Sequence, residues 1–333
     1  MRRTLATTAA LIGTGTLVLA GCSGGDDTST DGMPTVVTST NVWGSVASTV
    51  AGDKATVTTL YTNNEGDPHE FEPSAADTAT VSDADLVVLN GGHYDQYMED
   101  AIAGTDVPAI NAFELLTAED HAAEDHADED HADEESGDAH DEAESHDAHA
   151  HDESALNEHV FYDLAVVGEV ATQVADQLGE IDPANADEFR SNAEQFTTGI
   201  DGLRGELATI KADHDGTEVA QTEPLAGYLL AEAGLVDSAP AGFTQSVEEG
   251  QSPAAADRAA MEDLLTSGTV HALIYNIQAV DSVTEAVLSV AQSSDVPVVR
   301  FTETLPDGTT DYIAWQSAQI EDLSNALGSH DAH

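Results

Sequence analysis

From Phe189 to Ile210 the apolar positions are Phe189, Ala193, Phe196, Ile200, Leu203, Leu207 and Ile210, alternately four and three residues apart. This spacing lays one side of a helix against a core without a break. With its flanks the segment covers about 30 residues, roughly 45 Å at 1.5 Å per residue. Asp182-Pro183 reads as its start, with Asp as N-cap and Pro at the first helical position. A rod this long predicts a stiff strut between two halves of a fold. A helix packed within one domain would show the same single seam.

Both flanks of the rod alternate strand-like and helix-like runs. Before it come strands at Val36–Thr38, Lys54–Tyr61, Leu86–Leu89 and Val107–Ile110, and helices at Val42–Ala51, at Ala75–Val81 capped by Ser74, and from about Phe161 to Leu178. After it come strands around Val219-Ala220, Ala272–Tyr275 and Val296–Phe301, with helices at Pro224–Ala233, Met261–Leu265, Val283–Ala291 and Tyr312–Leu327. Such alternation predicts parallel α/β sheets. The 333 residues suit two domains. The expected layout is an α/β lobe over 34–181, a linking helix over 182–213 and a second α/β lobe over 214–328. Ligands of open α/β sheets sit outside the carboxyl ends of the strands, so the cleft between the lobes is the place to look for a site.

The charge is extreme. Formal net charge is −56, and Lys54 and Lys211 are the only lysines. Such a chain repels nucleic acid and anionic lipid head groups and favours cations. A salt-tolerant surface explains part of the acidity equally well. Residues 118–153 hold 17 acids and no Lys or Arg, yet the other 47 acids still face 8 bases, leaving about −39. Residues 114–155 contain almost no apolar side chain larger than Ala after Leu116. They read as a mobile His/Asp/Glu-rich loop inserted in the first lobe.

Residues 1–21 have the pattern of a signal peptide. Arg2 and Arg3 precede an apolar, small-residue stretch from Leu5 to Ala20 that is too Gly/Thr-rich for a good membrane helix. The stretch ends Leu19-Ala20-Gly21-Cys22, which looks like a bacterial lipobox, and Cys22 is the sole cysteine. Cleavage before Cys22, lipidation of its thiol and a Gly/Ser/Thr/Asp-rich tether over 22–33 would hold the mature chain on the extracytoplasmic side of the membrane.

Two histidines have scaffolds. His69 lies in Asp67-Pro68-His69-Glu70-Phe71-Glu72-Pro73, where two prolines stiffen the loop and carboxylates flank the imidazole. His159, in Asn157-Glu158-His159-Val160-Phe161, stands where the acidic tract gives way to helical apolar spacing. Both are candidate ligands of a divalent metal. Seven of the 14 histidines, His121, His126, His131, His140, His146, His149 and His151, lie in the acidic tract and are read as weak auxiliary metal-capturing groups. His330 and His333 either repeat that device or carry no role. His93, His214 and His271 read as surface or packing residues.

The Asp67–Pro73 motif, the His-rich acidic insertion, the His just after it and Asp182-Pro183-Ala184-Asn185-Ala186 opening a long helix together resemble the zinc/manganese substrate-binding lipoproteins of metal-importing ABC transporters. The likeness runs from about Pro34 to Gly328. It implies two lobes joined by a rigid helix, with one metal ion held by four side chains in the interlobe cleft. His69 and His159 match the first two ligands. Thr222-Glu223-Pro224-Leu225-Ala226-Gly227-Tyr228-Leu229 puts Glu223 at the third, where zinc importers usually carry His. Arg300-Phe301-Thr302-Glu303-Thr304-Leu305-Pro306 puts Glu303 at the fourth, where Asp is commoner. Asn276 and Gln278 would line the cleft around these ligands.

Two imidazoles and two carboxylates fit a first-row divalent ion. A closed four-coordinate site suits Zn²⁺, and bidentate carboxylates suit Mn²⁺; the His-rich tract tips the choice to zinc. The implied partners are a membrane permease and a separate ATPase, since the chain has no GxxxxGK[ST] motif. A monomer is expected, with no nucleic acid and no enzymatic role: neither HExxH nor a nucleophile elbow is present. The alternatives are a manganese (or manganese/iron) receptor of the same class, or a metal-buffering or adhesin lipoprotein without a transporter.

Overall fold

The computed structural model of the chain describes residues 32–116 and 157–330. Two four-stranded parallel sheets carry the fold. The first contains β1 (Thr35–Thr40), β2 (Thr56–Tyr61), β3 (Leu86–Leu89) and β4 (Ala109–Asn111), in the order β2-β1-β3-β4. The second contains β5 (Glu218–Gln221), β6 (Val236–Asp237), β7 (Leu273–Asn276) and β8 (Val298–Phe301), in the order β6-β5-β7-β8. The two orders are the same topology. In each, the chain leaves the first strand on one side and returns on the other, which opens a crevice at the strands' carboxyl ends. All four residues of β3 and all four of β7 are buried, as expected for strands covered on both faces.

Helices cover the sheets. In the first half these are α1 (Asn41–Ala51), α2 (Ala75–Ser82), α3 (Gln96–Ile102) and α4 (residues 112–116), then α5 (Leu164–Ile181). Ser74 caps α2 through a reciprocal box with Asp77. The Asp163 side chain accepts the Ala165 and Val166 amides at the start of α5. α6 (Ala186–His214) is the expected rod, and all seven residues of its seam are buried. α7 (Gly227–Glu232), α8 (Ala241–Glu248), α9 (Ala255–Thr266), α10 (Ser282–Ser293) and α11 (Tyr312–His330) complete the second half.

Three boundaries differ from the sequence reading. α6 starts after Asn185, because Asp182 closes α5 and turns the chain by accepting the Ala184 amide and the Asn185 side-chain N–H. The helix beginning near Phe161 is divided into a 3₁₀ turn, Val160–Tyr162, and α5, with Asp163 between them. The acidic insertion was expected from residue 114, yet helix α4 includes 114–116 and Leu116 is part of the core. The leader, Cys22, the tether to residue 31, the seven tract histidines and His333 lie outside the described residues. Among the described residues no helix is long and apolar enough to cross a membrane.

One apolar core runs through both halves. It joins Val36, Trp43 and Leu86 of the first half to Phe189 and Leu203 of α6 and to Ile274, Phe301 and Trp315 of the second. Hydrogen bonds reinforce the join. Asn41 donates to Leu305 O and accepts from Leu305 N, while Ser45 donates to Thr310 O and accepts from Tyr312 N. The Tyr162 ring stacks on Phe301 at 5.7 Å, and its hydroxyl donates to Thr302 O.

Candidate metal centre

The side chains of the centre stand past strand ends, at short 3₁₀ turns and at the end of α8. After β2 the chain makes a 3₁₀ turn, Pro68–Glu70, with Asp67 accepting the His69 amide at 2.8 Å and Pro68 fixing the first φ. Phe71 packs edge-on against Tyr61 and Tyr97, at 5.3 and 5.1 Å, and anchors the turn. His69 therefore projects from a stiff support.

His159 is wholly buried. The Asn157 side chain fixes its ring. Asn157 Nδ2 donates to Pro224 O, so Asn157 Oδ1 faces His159 and lies 2.9 Å from Nδ1. A carbonyl oxygen only accepts, which places a proton on Nδ1 and leaves Nε2 as the coordinating nitrogen.

Glu303 stands two residues past β8 and is 1% exposed. The Gln278 carbonyl accepts its amide at 2.7 Å and the Thr304 amide at 3.1 Å. Asn276 Nδ2 donates to Glu303 Oε1 at 2.7 Å. The other oxygen, Oε2, accepts from Tyr94 OH at 2.9 Å and faces His69 Nε2 at 3.4 Å and His159 Nε2 at 3.7 Å.

Glu223, two residues past β5, is buried, and Asn276 Nδ2 donates to its Oε1. It thus shares an amide with Glu303. The sets of three whose donor atoms all lie within 4.8 Å of one another are, among the described residues, His69–His159–Glu248 and Asp67–His69–Glu303. Glu223 is in neither. Of the four positions read from the sequence, the structure brings His69, His159 and Glu303 together and sets Glu223 one hydrogen bond behind Glu303. Asn276 and Gln278 do line the cleft.

Sequence reasoning missed Glu248, Glu158 and Tyr94. Glu248 ends α8, a helix the sequence reading did not identify. Its Oε1 lies 3.7 Å from His69 Nε2 and 3.6 Å from His159 Nε2. One signal was available. Glu248-Glu249 follows the spaced pair Phe243 and Val247, so two acids close a helix at its negative end and call for a cation nearby. Glu158 Oε1 is 3.7 Å from His69 Nδ1.

The electrostatics are those of a place built for positive charge. Burial pulls the His69 pKa down, but contact with Glu303 and the charges of Glu303, Glu248 and Glu158 outweigh it and raise it to about 10. His159 is raised by Glu248 and Glu303 against its own burial. Glu303 is held below the usual carboxylate range: burial opposes this, and its contacts with His159 and His69 prevail. Burial, then the charges of Glu303 and Glu248, push Glu223 well up. Burial pushes Glu158 up to about 7. The Nε2 atoms of His69 and His159 and the Oε2 atoms of Glu158 and Glu248 are all buried without a hydrogen-bond partner. Orphaned buried polar atoms are costly, and two orphaned Nε2 atoms that both face Glu248 Oε1 and Glu303 Oε2 fit a bound cation.

Known proteins match this architecture. The manganese-binding lipoprotein MntA of Halalkalibacterium halodurans is 28% identical over 192 residues, which is 56% of this chain and 53% of the relative. The match thus spans about half that relative's length. The manganese ABC transporter substrate-binding lipoprotein PsaA of Streptococcus pneumoniae is 33% identical over 76 residues, 22% of this chain and 24% of the relative. Among solved structures, the periplasmic zinc binding protein TroA from Treponema pallidum superimposes with a TM-score of 0.67 at 17% identity, covering 89% of this chain and 99% of that one. A zinc-bound deletion mutant of ZnuA gives 0.65 at 20% identity, covering 89% and 98%. At these identities the structural likeness shows the fold. The family model described as zinc-uptake complex component A, periplasmic, matches residues 36–326. That span takes in both sheets, the rod and every side chain of the centre, and the chain belongs to this family.

Proposed function

We propose that this protein captures a divalent first-row metal ion outside the cytoplasmic membrane and delivers it to the permease of an ABC importer. One observation carries the reading. Two imidazoles, His159 wholly buried and His69 partly so, present buried, unpartnered Nε2 atoms to the Glu303 carboxylate, at 3.7 and 3.4 Å, in the cleft between the sheets. His69 and His159 supply neutral nitrogen, and Glu303 supplies charge that lowers the cost of enclosing the ion. The lipobox-like Cys22 would hold the receptor on the membrane, and the ATPase would be a separate chain. The loop histidines would raise the local ion concentration.

Zinc is the first choice because imidazole favours it. Manganese is the second reading, and the surplus of carboxylates around the two rings, Glu158 and Glu248 beside Glu303, supports it. The double variant His69→Ala/His159→Ala is expected to lose tight binding of zinc or manganese in calorimetry of metal-stripped protein. The loss should exceed the roughly 10–100-fold that follows removal of an outer partner. An unchanged affinity would reject the site.

A further inference from the structure

The family pattern puts a ligand at Glu223, but the geometry selects a different carboxylate. His69 Nε2 lies 3.7 Å from Glu248 Oε1 and 3.4 Å from Glu303 Oε2. His159 Nε2 lies 3.6 Å from Glu248 Oε1 and 3.7 Å from Glu303 Oε2. All four nitrogen–oxygen separations are thus nearly equal. Two ligands of one tetrahedral ion at bonds of about 2.1–2.3 Å stand roughly 3.4–3.7 Å apart, so each of these four contacts has the spacing of two donors to one ion.

We propose that Glu248, and not Glu223, is the fourth donor, joining His69, His159 and Glu303 around a four-coordinate ion. Glu223 is a positioning residue: it accepts from Asn276, whose amide also holds Glu303 Oε1 and so turns Oε2 toward the imidazoles. The proposal rests on the reading of the chain as a metal receptor. Three observations support it independently of the distances. The Nε2 atoms of His69 and His159, the two nitrogens that Glu248 Oε1 faces, are buried and have no hydrogen-bond partner. Glu248 is the last residue of α8, where a carboxylate opposes the helix dipole and gains from a cation in front of it. The helix itself is held in place, since Phe243 is wholly buried in the second-half core and Val247 packs against that core.

The assignment divides the donors between the sheets. His69 and His159 come from the first half, and Glu303 and Glu248 from two separate elements of the second. A four-coordinate ion then links a 3₁₀ turn, the segment before α5, the end of β8 and the end of α8.

Co²⁺ reports coordination number, since four-coordinate cobalt absorbs visible light far more strongly than six-coordinate cobalt. The metal-stripped full chain is titrated with Co²⁺ to one equivalent, and zinc affinity is then measured by displacement. The wild-type protein is expected to show an intense visible band. Glu248→Gln should lose most of that intensity and at least about 100-fold in zinc affinity, while Glu223→Gln keeps the band and loses about 10-fold. Glu248→Asp, which retains the charge but shortens the reach, should weaken the band; it also serves if the glutamine variant does not fold. Melting of the metal-free variants checks folding. The proposal is overturned if Glu248→Gln keeps band and affinity, or if Glu223→Gln abolishes the band. Failure of the receptor reading looks different: His69→Ala/His159→Ala would then titrate like the wild type.

Discussion

At His69 two opposing effects act on one ring. Burial favours the neutral form, and three surrounding carboxylates favour the cation, which prevails and brings the metal-free pKa to about 10. An imidazole must lose its proton to bind a metal, so protons and metal compete below that value. An imidazole with its ordinary pKa would lose affinity only below about pH 6.5. The carboxylates move it upward: apparent affinity should already fall between about pH 9 and 7, by up to about tenfold per unit for each proton displaced. A chelator competition series across this range checks it, and a flat profile down to about pH 6.5 would contradict it. The same shift has a sign for stability. The folded pKa lies above the unfolded one, so His69 stabilises the metal-free fold below about pH 6.5 and that contribution is lost as pH rises through about 10. The metal-free melting temperature should therefore decline over this interval, and less so in His69→Ala.

Among the elements, α6 shows what spacing can reveal. Its seven seam residues were legible because six successive intervals repeat one helical pattern, and all seven are buried. Leu203, 1% exposed, belongs to the core that spans both halves. Leu203→Ala should cost about 2–5 kcal/mol in denaturant unfolding, against about 0.5 kcal/mol or less for Glu194→Ala on the exposed face. Seven of the eight described strands were legible for a similar reason, as short apolar or β-branched runs; β6, only two residues long, was not. α8 was not. Its eight residues offer Phe243 and Val247 as the apolar face, with Thr244, Gln245 and Ser246 between, too short a pattern to separate from a loop. Glu248 was hidden with it. Glu303 and Glu223 were placed by motif, and a motif gives order along the chain without the side-chain direction that separates a donor from its support. His159 was found from the residues themselves, because a buried helix start after a polar tract stands out in sequence.

In the molecule as a whole, the shared core ties the two sheets into one cooperative body. The chain has two tryptophans, and they sample opposite halves: Trp43 on α1 beside the first sheet and Trp315 on α11 beside the second, both buried. Trp43→Phe and Trp315→Phe each leave a single reporter. In each variant the fluorescence and circular dichroism unfolding curves should superimpose; separated midpoints would show halves that melt independently. Gln278 adds a local counterpart to this global tie. Its carbonyl accepts the amides of Glu303 and Thr304, and its Nε2 donates to Gly66 O, three residues before His69. A tug on the loop ahead of His69 is therefore transmitted through one side-chain amide to the opposite jaw. The Thr304 hydroxyl donates to Asn63 O, so the approach to His69 and the backbone beside Glu303 are fastened to each other at two neighbouring points.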